Sequence, residues 1–146
     1  MALTAHSGSE RARQMLALTL RLAERLERET QSLEAHRPQD IAAEVEETRS
    51  LSNLYRRESL RIKTDPSLLD GMTPDEQRQL REATVIFQTR LRRYEHAVNA
   101  ARLVTEGILS AVARDLGKAK SSASTYGARG KTLDNGPQSF NFGGRA

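Results

Sequence analysis

Apolar residues recur along this chain at steps of three and four, the period of a helical face and not the alternation of a strand. The first run places Met15, Leu18, Leu22, Leu26 and Leu33 on one stripe and predicts a helix over 9–35, with Ser9 as its N-cap. Glu29 and Thr30 break that stripe, while Arg21, Glu24, Arg25, Glu27 and Arg28 fill its other faces with mixed charge. Pro38 then disfavours helix at Arg37 and suits the first turn of a new one, so a short connection is expected there.

A second helix is predicted over 38–63. Ile41, Val45, Thr48, Ser52, Tyr55, Ser59 and Ile62 alternate steps of four and three, which makes a heptad seam. Thr48, Ser52 and Ser59 are small hydroxyl residues, so this seam buries little unless Leu51, Leu54 and Leu60 widen it. Acids lead (Asp40, Glu44, Glu46, Glu47) and bases close (Arg56, Arg57, Arg61, Lys63), the order that suits the helix dipole.

Thr73-Pro74-Asp75-Glu76 puts a capping Thr, a first-turn Pro and a Glu three residues after the cap, which starts a third helix, predicted over 74–118. Leu80, Thr84, Phe87, Leu91, Tyr94, Val98, Ala101, Thr105, Ile108 and Val112 hold the heptad along it without a slip. Gly107 interrupts the apolar run, as a bend, a close approach of another chain, or a tolerated glycine. Towards the end of this helix Leu103, Val104, Ile108, Leu109, Val112 and Leu116 cover more than one narrow seam. An apolar band wider than the internal partners require fits helix-in-groove capture of another protein's amphipathic segment, or self-association through the same band as a homodimer.

The fold expected is therefore all-α: a three-helix antiparallel hairpin or coiled-coil bundle over 9–118, with one very long C-terminal helix. A flexible N-terminus over 1–8 precedes it. Residues 119–146 are expected to be a disordered basic tail, because Ser, Gly, Asn and Pro there bury too little apolar surface to order themselves.

Charge changes the picture only by its location. The net charge is +4. From residue 118 the chain holds Lys118, Lys120, Arg129, Lys131 and Arg145 against Asp134 alone, so the tail carries the whole excess and the body is balanced. Arg90, Arg92 and Arg93 beside Tyr94 are read as a solvated helix face, and no nucleic-acid partner is expected. No apolar stretch approaches the ~20 residues that span a bilayer, and the first ten residues lack a signal-like apolar core. A cytoplasmic protein without stable membrane insertion is the expectation.

Candidate chemistry is sparse. The chain has no Cys, and His6, His36 and His96 have no partner at metal-ligand spacing, so neither metal nor cofactor is expected. Glu46-Glu47 and Asp75-Glu76 fall in predicted first turns, where the dipole accounts for them. P-loop and G-x-S-x-G patterns are absent. A binding protein is expected, not an enzyme.

The distal part of the chain resembles the FlgN family of flagellar export chaperones. The residues concerned are Asn99, Glu106-Gly107 within the apolar stretch Leu103 to Val112, a polar spacer, and Thr125-Tyr126-Gly127-Ala128-Arg129-Gly130-Lys131, similar to that family's Y-G-x-x-G tail element. The resemblance covers about the last third of the chain. It implies a cytoplasmic chaperone that binds the C-terminal helical segments of hook-associated proteins, keeps these hook-filament junction proteins soluble, and delivers them to the type III export gate. Client-binding residues would be Asn99, Leu103, Val104, Ile108, Leu109, Val112 and Leu116. Tyr126, Gly127 and Gly130 would dock the cytosolic domain of the gate. The alternative is a self-assembling coiled-coil adaptor of the flagellar system.

Overall fold

A computed structural model describes the backbone of residues 2–129 and the side-chain surroundings of residues 2–123. Three helices follow one another: α1 (Gly8–Glu34), α2 (Val45–Thr64) and α3 (Pro74–Arg129), with short 3-10 turns at Pro38–Ile41 and Pro66–Leu69. Among the described residues there is no strand, and no helix is long and apolar enough to cross a membrane. The all-α three-helix architecture with a long third helix is the one the periodicity predicts. The chain divides into two compact units, Met1–Val104 and Thr105–Ala146.

The ends of the helices show which local signals decide. Ser7, not Ser9, caps α1, its hydroxyl accepting from the Glu10 N–H at 3.1 Å. Ser9 Oγ instead donates to Glu76 Oε1 at 2.6 Å and ties α1 to the start of α3. The segment ahead of α1, expected to be flexible, makes defined contacts: the Leu3 N–H donates to Glu58 Oε1 at 3.4 Å, and Gln14 Nε2 donates to the Thr4 carbonyl at 2.9 Å. Gly8 is required by packing, because a Cβ there would lie 2.0 Å from the Asp70 carbonyl oxygen. At the other end of α1, His36 takes a left-handed φ of 57° while the Arg37 N–H returns to the Ser32 carbonyl at 2.8 Å, closing the helix without a glycine.

Pro38 starts only a 3-10 turn, and α2 begins later than expected, at Val45. The Thr73 cap forms as predicted: the Glu76 N–H donates to Thr73 Oγ1 at 3.1 Å, and the Thr73 N–H to Glu76 Oε2 at 3.0 Å. Hydrogen bonds from Ser9 and Thr73 hold the Glu76 carboxyl below its ordinary value. α3 continues past the expected end near residue 118 to Arg129, so the first part of the predicted disordered tail is helical. The remainder, including Phe140 and Phe142, lies outside the described residues.

Ion pairs fix the helix order within the first unit. Arg11 meets Glu58 while Arg25 meets Glu44 and Glu47, so α2 runs antiparallel to α1. Ser9 meets Glu76 while Arg93 meets Glu27 and Glu34, so α3 runs parallel to α1. The core sits where the three meet: Leu22, Ala23, Leu26 and Phe87 are buried, with Leu51, Tyr55, Leu91 and Tyr94 packed on them. Burying a side chain such as Leu22 stabilises the fold by about 1.5–3 kcal/mol. Arg93, read from the sequence as part of a solvated helix face, is half-exposed and pairs with α1, at 2.6 Å from Glu34 and 2.9 Å from Glu27. That contact, through the hydrogen bond from Arg93, lowers the Glu34 carboxyl from its ordinary value.

Candidate functional site

The heptad seam of α3 is covered only in part. Ala83, Phe87 and Ala97 are buried within the first unit. Arg93 pairs with Glu34, the last residue of α1, so α1 offers no further turn to cover residues beyond that level. Val98, Leu103 and Val104 are exposed in the first unit. In the second unit Ile108, Leu109, Val112 and Leu116 are exposed, at 59%, 63%, 48% and 66%. Asn99 is exposed as well, its Oδ1 accepting from Arg102 at 3.2 Å.

Helical geometry sorts these residues. At 3.6 residues per turn Ile108, Leu109, Val112 and Leu116 fall on one face of their own stretch of α3. Val104 borders that face and Leu103 lies on the opposite one. Of the residues assigned to client binding, five therefore make or border one apolar strip, while Leu103 stands apart. A Cβ at Gly107 would meet nothing within 4 Å, so no close approach inside the chain requires that glycine. Tyr126 and Gly127 are on the helical backbone of α3, and Gly130 lies outside the described residues.

A second feature belongs wholly to the first unit. α2 and α3 pack against α1 yet leave between them a groove of about 880 Å³. Its floor includes Leu22, Leu26 and Glu29 of α1 and the ring pair Tyr55–Phe87, with centroids 4.7 Å apart. Thr48, Ser52 and Ser59 line the α2 side and Leu91 and Tyr94 the α3 side. Glu29 is 2% exposed; its Oε1 has no hydrogen-bond partner among the described residues, while its carboxylate is within hydrogen-bonding reach of the Tyr94 phenol. Burial first, then the neighbouring Glu29 carboxylate, raises the Tyr94 phenol from its ordinary value.

Two of these polar positions could have been found earlier. Glu29 stands seven residues after Leu22, which itself stands seven after Met15, so it occupies a seam position and not an outer face. Arg11, four before Met15, joins the same stripe and is buried against Glu58, which is 0% exposed. Among the described residues no group of three or more His, Cys, Asp or Glu side chains is placed to hold a metal ion.

Over 135 residues, 92% of this chain and 91% of the relative, the sequence is 37% identical to the flagellar basal-body protein FlbY of Caulobacter vibrioides. The chain belongs to the FlbY family. Identity at that level over nearly the full length of both FlbY-family members takes in the bundle as well as the apolar part of α3. No protein-family model matches the chain, so the FlgN likeness rests on the distal motifs alone. No solved structure matches this FlbY-family chain.

Proposed function

We propose that this FlbY-family protein serves flagellar assembly as a cytoplasmic export chaperone, binding the C-terminal helical segment of a hook-associated protein along the exposed apolar face of α3. The observation that carries the reading is the concentration of Ile108, Leu109, Val112 and Leu116 on solvent within three turns of one helix. An amphipathic client helix laid along that face would cover its own apolar stripe and this one together. The protein acts by binding and not by catalysis. Its carboxylates support that view, because Glu27, Glu34, Glu44, Glu47, Glu58 and Glu76 are all engaged by arginines. In this reading Tyr126, Gly127 and Gly130 dock the cytosolic domain of the export gate.

The test is client solubility. Light scattering of a refolding hook-associated protein should fall when this protein is added in equal amount. It should stay high when Ile108, Leu109 and Val112 are replaced by Asp. Aggregation that proceeds unchanged with the native protein would remove the chaperone reading.

A second reading is favoured by the description of the Caulobacter relative as a basal-body protein. There the same face would join a structural partner, with this protein as a helical adaptor in the assembled flagellum. Fractionation of cells separates the two: an adaptor is recovered with purified basal bodies, a chaperone is not.

A further inference from the structure

The groove between α2 and α3 lies wholly in the first unit, and its charges are as ordered as its apolar floor. Along the α2 wall it extends from Val45 to Ser59, about 21 Å at the helical rise, or about four turns. Ser52 and Ser59, seven residues apart on that wall, are too small to fill the space between the helices. Tyr55, Leu91 and Tyr94 are half-buried and Val45 is exposed, so apolar surface faces water along the groove. An extended peptide laid there would set its N–H and C=O groups against the floor without partners, whereas a helix satisfies them internally.

Above the floor the two edges differ. Arg49, Arg56 and Lys63 follow one another at steps of seven along α2, one straight row on a helix packed in a bundle, and all three are exposed. Among the described residues Arg56 and Lys63 have no ion pair, and Arg49 has an exposed one, to Glu46 of its own helix at 3.4 Å. The other acids of α2 turn away from this row: Glu44 and Glu47 pair with Arg21, Arg25 and Arg28 of α1, and Glu58 with Arg11. On α3, Arg90 and Arg93 face α1, where they meet Glu27 and Glu34. Its opposite flank, on the Leu91 side, carries Arg81, Gln88 and Glu95 at the same seven-residue steps: one base, one neutral residue, one acid. The groove therefore has one basic edge and one balanced edge.

We propose that the groove docks an amphipathic helix of another protein, about four turns long, with an apolar stripe and a row of Asp or Glu on the flank that faces α2. Large apolar residues of the stripe fill the space over Ser52 and Ser59 and cover Leu22, Leu26 and Leu91. The acidic row meets Arg49, Arg56 and Lys63, as flanking charges select partners in a coiled coil. Because these pairs are exposed, they set the choice of partner, while apolar burial supplies most of the affinity. The docked helix completes a four-helix bundle with α1, α2 and α3. This surface is separate from the exposed apolar residues of distal α3 and does not rest on the chaperone reading.

Two labelled synthetic helices of about 14 residues test the proposal by fluorescence anisotropy; they share one Leu stripe and differ in carrying Glu or Lys on the flank. The full-length protein is used with Ile108→Asp, Leu109→Asp and Val112→Asp, so that the distal face does not hold the probe. The Glu-flanked helix should bind at about micromolar affinity and the Lys-flanked one about tenfold or more weaker, with the gap narrowing as salt is raised. Arg49→Glu, Arg56→Glu and Lys63→Glu together should invert that preference, which a purely structural role of these residues would not do. Ser52→Trp should fill the groove and weaken both probes about tenfold. Failure of the Glu-flanked helix to bind, equal binding of the two probes, a preference that charge reversal leaves unchanged, or binding indifferent to Ser52→Trp overturns the proposal; circular dichroism of each variant shows that its helices are intact.

Discussion

The two ends of α3 carry one pattern and meet different fates. From Leu80 to Ala97 the heptad face turns Phe87, Leu91 and Tyr94 into a core shared with Leu22 and Leu26. From Ile108 to Leu116 the same spacing leaves its apolar residues exposed. Periodicity specifies which face of a helix is apolar, but it does not say whether the covering partner lies in the same chain. In the first unit α1 supplies that cover, and in the second the described residues supply none. One stretch stabilises the fold, while the other keeps an apolar surface at the protein–water boundary, where it is available to another molecule.

Mutations that separate stability from binding sharpen this contrast. The largest loss should come from Glu58→Ala, which leaves the buried Arg11 guanidinium without its partner and should cost about 4 kcal/mol in urea unfolding. Leu22→Ala removes a side chain that is 1% exposed and should cost about 3 kcal/mol, read the same way. Thr73→Ala deletes the cap of α3 and should cost about 1 kcal/mol. The Glu34 and Glu76 carboxyls are held below their ordinary values, so their contribution is present above the unfolded-state value and lost as pH falls through the lowered folded one. Thermal melts should therefore weaken in the acid range, and Glu76→Gln should flatten that decline. The smallest stability effect should be that of Ile108→Asp, within about 0.5 kcal/mol of the native protein, because its side chain is already in water.

The elements were legible because each rests on a local rule: the Thr73 cap, the Pro38 interruption and the heptads all give helices in the right order. Boundaries were less so. Ser7 and Ser9 are equally good caps by type, and only the packing of Ser9 on Glu76 decides between them. The composition of 119–129 argues for disorder, yet the chain stays helical to Arg129. Buried polar groups were the least legible. Arg25 reads as part of a charged outer face but is 8% exposed, its stem covered while its guanidinium reaches Glu44 and Glu47. Glu29 reads as a break in the stripe and is in fact part of it. The exposed face of α3 was legible as apolar excess, although Leu103 was grouped with residues that lie on the other side of the helix.

The claim that matters most is that the exposed face of distal α3 is a binding surface with no part in holding the fold. Titration calorimetry against the C-terminal segment of a hook-associated protein from the same cell tests it directly, using the native chain and an Ile108→Asp, Leu109→Asp, Val112→Asp variant. The account predicts one-to-one binding of about micromolar affinity or tighter, weakened about a hundredfold in the variant while its melting temperature stays that of the native chain. Absence of binding by the native chain, or binding that the three substitutions leave intact, would contradict it.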